Sequence, residues 1–140
     1  WPARLEVVRR SPTIVLDAAH NVASVEALLA ALQESFPQRP RHLVFATTKE
    51  KEIAGMLRLL LPWFDSVVLT RYCSNPRGVP VEELAATVAS LDNRTVMLAE
   101  SPQAACQLVR RNLVGDDLIV VTGSFFIAAE MRTAIDRAPW

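Results

Sequence analysis

Five short, mostly continuous apolar runs recur along the chain, at residues 13–16, 42–46, 66–70, 95–99 and 118–122, with starts about 23–30 residues apart. A strand with one wet face alternates apolar and polar residues, whereas a strand buried on both faces reads as an unbroken apolar run. Each gap carries a helical pattern, at 22–36, 52–61, 81–89 and 102–113, and a further one at 124–137 follows the last run. Strands alternating with helices predict a mainly parallel sheet with helices packed on both faces. One more segment, 5–9, partly alternates and is followed by Ser11-Pro12, a turn signal. It reads as an edge strand hairpinned against 13–16 and antiparallel to it. The expectation is a doubly wound α/β domain of six strands, mostly parallel with one antiparallel edge strand.

A chain of 140 residues, 51% hydrophobic and 21% charged, is one domain's worth and buries a core without staples. Fifteen basic and fifteen acidic residues leave no net charge, so nothing draws the whole chain to nucleic acid or to an anionic membrane. Cys73 and Cys106 stand in no metal-ligand or redox spacing and read as thiols of a reducing compartment. No run approaches the ~18–20 apolar residues of a membrane span, and no signal peptide opens the chain. The cytoplasm is the expected location. The chain starts at Trp1 rather than at a methionine, and is expected to be a piece of a longer protein.

Function concentrates in Leu16-Asp17-Ala18-Ala19-His20-Asn21, where an apolar run ends on a carboxylate, an imidazole and an amide just before a helix begins. In an open parallel sheet, ligands bind beyond the carboxyl ends of the strands, and a helix's first-turn N–H groups favour anions there. Two readings stand side by side. In one, Asn21 caps the helix while Asp17 and His20 satisfy backbone groups. In the other, Asp17 and His20 form a carboxylate–imidazole pair: His20 binds a phosphate oxygen or shuttles a proton, and Asp17 binds a ribose hydroxyl or orients a neighbour.

Thr122-Gly123-Ser124 ends the last run at the same predicted sheet edge, so Ser124 is either a helix cap or a ligand contact. Lys51, in the run Lys49-Glu50-Lys51-Glu52, and Arg71 and Arg77 in the loop after Thr70 are candidate phosphate contacts or solvated surface charges. His42, at a strand start, has no assigned role. Trp1, Trp63 and Trp140 read as packing or terminal residues, and Phe125-Phe126 either cover a partner surface or pack. The four glycines form neither GxGxxG nor GxxxxGK[ST], so the chain does not cradle a pyrophosphate by itself. No serine or cysteine nucleophile of a hydrolytic triad is evident.

Trp1-Pro2-Ala3-Arg4, the Asp17-to-Asn21 element and Thr122-Gly123-Ser124-Phe125-Phe126, in this order and spacing, resemble the carboxy-terminal domain of the folylpolyglutamate synthase/dihydrofolate synthase family of ATP-dependent Mur ligases. The resemblance spans essentially all 140 residues as a single domain. Ala3 and Ala18 stand where the family has glycine, Val22 where it has proline, and Glu50-Lys51-Glu52 where it often has Asp-Lys-Asp. The resemblance implies a Rossmann-like sheet. It also implies a chemistry: ATP phosphorylates a folate or dihydropteroate carboxylate, and the amine of L-glutamate displaces phosphate to form an amide. The P-loop and the Mg2+ ligands belong to an amino-terminal ATPase domain that this chain lacks, so the isolated domain is expected to be inactive.

By resemblance, Arg4, Asp17, Asn21 and Lys51 contact ATP, His20 and Ser124 contact glutamate, and Asp17 and His20 are the catalytic pair. No metal ligand is expected in this chain. Two rivals remain: a non-catalytic nucleotide- or ligand-binding module of the same fold, and a receiver- or flavodoxin-like signalling domain. Asp17 lacks the acidic partners the last would need.

Overall fold

A computed structural model describes residues 4–49 and 52–140 of the chain. Among them the elements run β1 (Glu6–Arg9), β2 (Thr13–Leu16), α1 (Val22–Ser35), β3 (Arg41–Phe45), α2 (Ile53–Leu60) with a 3-10 turn (Leu61–Trp63), β4 (Ser66–Leu69), α3 (Val81–Leu91), β5 (Met97–Leu98), α4 (Pro102–Arg111), β6 (Leu118–Thr122) and α5 (Phe125–Arg137). The sheet order is β1-β2-β6-β3-β4-β5. β1 pairs antiparallel with β2, and every other pairing is parallel. This is the architecture the spacing of apolar runs implies. Among the described residues no helix is long and apolar enough to cross a membrane.

The unbroken apolar runs are explained by burial on both sides. Val15, Leu43, Phe45, Val67, Leu69, Leu118 and Val120 face α1, α2 and α3, against Val25, Leu28, Met56, Leu57 and Leu84. The intervening residues Ile14, Leu16, Val44, Val68, Ile119 and Val121 face α4 and α5, against Cys106, Val109, Ile127 and Met131. Each such side chain contributes roughly 1.5–3 kcal/mol of transfer free energy. Four strands, β2, β3, β4 and β6, share this two-sided burial and define the fold.

Helix starts follow local chemistry. Asn21, Ser101 and Ser124 each accept a first-turn N–H through the side chain. The β5 ladder is shorter than the 95–99 run, covering only Met97 and Leu98 against β4. As an edge strand it has one partner. The segment before it is fixed instead by Arg94, whose guanidinium donates to the carbonyls of Leu61, Phe64 and Asp65 at 2.6–3.0 Å.

His42 acquires a structural role. Buried at the start of β3, its Nε2–H donates to Asp117 Oδ2 at 2.7 Å and its Nδ1 lies 2.6 Å from the Ser66 hydroxyl, in hydrogen-bond contact with it. Asp117 also accepts the N–H groups of Val114 and Gly115. Burial opposes ionisation of Asp117, but these hydrogen bonds outweigh it and hold the carboxyl below the usual range. The cluster clamps the starts of β3, β4 and β6, at the end of the sheet opposite the turns after β2 and β6.

Topology creates a crevice at those turns. β6 lies between β2 and β3, and the helices that follow β2 and β6 leave on opposite faces of the sheet. Divergence of two neighbouring connections at the carboxyl end is the switch point at which open α/β sheets bind ligands.

Candidate functional site

Asp17 directly follows β2 and is 9% exposed. Its Oδ1 accepts the Ala19 N–H and its Oδ2 the Leu5 N–H, both at 2.8 Å. Leu5 has φ of +48°, a left-handed conformation uncommon for a bulky side chain, so something must hold it. Asp17 does so, and thereby brings Arg4 to the β2–α1 turn. Burial raises the Asp17 carboxyl above its usual range, outweighing the two amides and the Arg4 charge, which pull it down. Satisfaction of backbone groups, the plainer of the two readings of this residue, is therefore realised.

Asn21 likewise acts as a cap. Its Oδ1 accepts the Ser24 N–H at 2.8 Å, while Ser24 Oγ accepts the N–H groups of Asn21 and His20 at 3.1 and 3.0 Å. His20 is exposed, and its Nδ1 lies 3.1 Å from the Ala18 carbonyl. A carbonyl only accepts, so Nδ1 carries the proton of the neutral ring and Nε2 presents a lone pair outward.

Ser124 caps α5, its buried Oγ accepting the Ile127 N–H at 3.1 Å. Gly123 before it has φ of +118°, and a Cβ there would lie 2.1 Å from the Ala46 carbonyl oxygen. Only glycine fits. The Gly123 N–H donates to the Ala19 carbonyl at 3.1 Å, tying the two turns together.

Two clefts open on this rim and share His20. The first, about 570 Å³, runs along α1 from Arg4, Asp17 and His20 past Ser24 to Leu28 and Ala31. The second, about 420 Å³, lies between His20 and Ser124 on one side and Thr48, Asn75 and Arg77 on the other, with Phe125 and Phe126 in its wall. Arg4, Asp17, His20 and Ser124 thus gather at one end of the sheet. Phe126 packs against Tyr72 with ring centroids 5.2 Å apart, while Phe125 stays half-exposed at the rim.

The two arginines after β4 part company. Arg77 reaches the second cleft, whereas Arg71 lies 3.8 Å from Glu100 on the surface. Lys51, Glu50 and Trp1 to Ala3 lie outside the described residues. Trp63 packs under the Arg41 guanidinium, and Trp140 bonds to the Ile135 carbonyl. Thr48 and Asn75 carry no signal in the sequence, since both sit in loops without periodicity.

A family model described as "Mur ligase, glutamate ligase domain" matches residues 3–125. The chain belongs to the Mur ligase family. The match runs from beside Arg4 to Phe125 and so takes in both cleft-bearing turns. This Mur ligase domain is 34% identical to the dihydrofolate synthase/folylpolyglutamate synthase of Mycobacterium tuberculosis, over 99% of the chain and 31% of that protein. Its fold superposes on the Mycobacterium tuberculosis folylpolyglutamate synthase complexed with ADP with a TM-score of 0.86, at 34% identity over 100% of the chain and 33% of the other. A bifunctional folylpolyglutamate synthase/dihydrofolate synthase with Mn, AMPPNP and L-glutamate bound gives a TM-score of 0.82 at 25% identity, covering 97% of the chain and 32% of the other. The Mur ligase domain described here therefore spans about a third of the length of these relatives.

Proposed function

We propose that this chain is the carboxy-terminal part of an ATP-dependent ligase that joins L-glutamate to folate or dihydropteroate through an acyl phosphate. One observation carries the reading: His20, with an outward Nε2, stands between a cleft bordered by Arg4 and a cleft bordered by Ser124 and Arg77. Such a ligase needs a phosphate-rich substrate and an amine-bearing dicarboxylate side by side, with a group between them that moves a proton. The relatives solved with ADP, or with AMPPNP and L-glutamate, support the same pairing.

In this reading Arg4 meets the ATP phosphates, and Asp17 accepts a ribose hydroxyl with lone pairs not used by Leu5 and Ala19. The Asn21 amide and Lys51 complete the nucleotide side. In the second cleft the Ser124 hydroxyl and Arg77 hold the carboxylates of the incoming glutamate. The γ-phosphoryl group passes to the folate or dihydropteroate carboxylate. His20 takes a proton from the glutamate ammonium, the freed amine attacks the acyl carbon, and the bond from that carbon to the phosphate oxygen breaks as the amide forms, the second N–H proton leaving with the phosphate. Asp17 contributes to catalysis by holding Arg4 and the turn in register with His20.

The partner in this scheme is an amino-terminal ATPase domain of the same polypeptide, which brings the P-loop and the divalent ion, Mg2+. Among the described residues no three His, Cys, Asp or Glu side chains gather as a metal site requires. The unpaired Cys73 and Cys106 suit a reducing cytoplasm.

The test is ligation by the 140-residue chain alone and by the polypeptide that includes the sequence upstream of it. The reading expects ATP- and glutamate-dependent amide formation from the longer protein and none from the chain alone. An upstream sequence without GxxxxGK[ST], and a longer protein without turnover, would leave a binding module.

A further inference from the structure

The second cleft has one wall on a loop, residues 71–79, that carries Asn75 and Arg77. The distal half of this loop is fixed by backbone pairing: the Lys49 N–H donates to the Arg77 carbonyl at 2.8 Å and the Val79 N–H to the Thr47 carbonyl at 3.0 Å. Its first half has a different anchor. Glu130, half-buried on α5, accepts the Cys73 N–H at 2.9 Å through Oε1 and the Ser74 N–H at 2.8 Å through Oε2. Burial opposes its ionisation, but bonds from the Ser74 side chain and the Cys73 and Ser74 N–H groups prevail and keep the carboxyl below the usual range.

The same helix carries both walls. Ser124 is the N-cap of α5, and Glu130 lies about 9 Å further along its axis at 1.5 Å per residue. A rigid helix that caps itself on one side of a cleft and grips the opposite loop fixes the width of that cleft. Positioning of this kind matters because an error of about 1 Å costs on the order of 100-fold in rate.

We propose that Glu130 is a positioning residue for the amine-bearing substrate: through the backbone of Cys73 and Ser74 it sets Asn75, on the loop whose distal half Lys49 and Thr47 hold, at the distance from Ser124 that a small dicarboxylate spans. This rests on the assignment of the second cleft to glutamate. Glu130 is not among the residues lining either cleft, and it holds only the loop of the second, so its effect falls on one substrate alone.

The experiment compares wild type with Glu130→Gln and Glu130→Ala in the full-length protein that carries this chain, measuring KM for L-glutamate, KM for ATP, kcat, and hydrogen exchange at the Cys73 and Ser74 amides. Gln keeps the volume and the helix but sets an NH2 group against one of the two amides, so it decides if Ala misfolds. The expected result is a KM for glutamate raised about ten-fold, a KM for ATP within about two-fold, and faster exchange at both amides. An unchanged KM for glutamate, or a KM for ATP that rises as much, overturns the proposal. Unaltered exchange overturns it as well, because the loop would then be held without Glu130. Wild type that forms no amide with glutamate removes the assignment of the cleft, and this inference with it, before any variant is compared.

Discussion

The Gly123 N–H donates to the Ala19 carbonyl across 3.1 Å, joining the turn after β6 to the turn after β2. Through this bond His20, next to Ala19, and Ser124, next to Gly123, are held on one rim although a hundred residues of chain separate them. The switch point of the sheet makes the crevice, and this bond sets its geometry.

Gly123→Ala is therefore expected to be severe. The new Cβ would lie 2.1 Å from the Ala46 carbonyl oxygen at a φ of +118° that alanine disfavours. A loss of about 3 kcal/mol or more is expected in urea unfolding. A variant as stable as wild type would mean that the turn is not held as described.

Ser124 separates two roles. Ser124→Ala removes the acceptor for the Ile127 N–H and is expected to cost about 1 kcal/mol. Ser124→Asp keeps a good helix cap but sets a negative charge beside the glutamate carboxylates. It is expected to keep most of the stability while raising KM for glutamate at least about ten-fold. Equal glutamate use by wild type and Ser124→Asp would remove Ser124 from that subsite.

Asp117 governs the acid side of the stability curve. Its folded-state carboxyl titrates below the usual range, so the stability it contributes is present above the unfolded value of about 3.9 and is lost as pH falls through the folded value. Asp117→Asn is expected to unfold with about 2 kcal/mol less resistance at pH 7, a gap that narrows below about pH 4. A gap independent of pH would detach the clamp from the ionised form of Asp117.

The two clefts predict a kinetic split. In the full-length protein, Arg4→Ala is expected to raise KM for ATP and Arg77→Ala to raise KM for glutamate, each by about ten-fold or more. Steady-state kinetics with each substrate varied in turn decides it, and parallel rises in both constants for either variant would argue against separate subsites.

The sequence was most legible where burial is two-sided. Leu118, Ile119, Val120 and Val121 announce a central strand because every side chain has a core to enter. The same logic found the β2–α1 turn, since an apolar run that stops on Asp17 and His20 must stop at an edge. The double engagement of Asp17 was not visible, because its Leu5 partner lies just before the neighbouring antiparallel strand and is reached only through a left-handed backbone. Arg71 and Arg77 looked alike in sequence, and only the pairing of the loop with Thr47 and Lys49 sends Arg77 to the cleft. His42 and Asp117 are 75 residues apart and carry no shared pattern, so their buried contact had to be seen. Glu130 lies on an otherwise ordinary amphipathic helix, and nothing local distinguishes it from a solvated glutamate.

Both clefts meet at His20. His20→Ala in the full-length protein measures most directly what the residue does there. His20 is exposed and, among the described residues, its ring makes a single hydrogen bond, to the Ala18 carbonyl, so unfolding free energy is expected to stay within about 0.5 kcal/mol of wild type. Amide formation is expected to fall by about 100-fold or more, the usual share of a general base. Near-normal turnover by a stably folded His20→Ala protein would contradict the account.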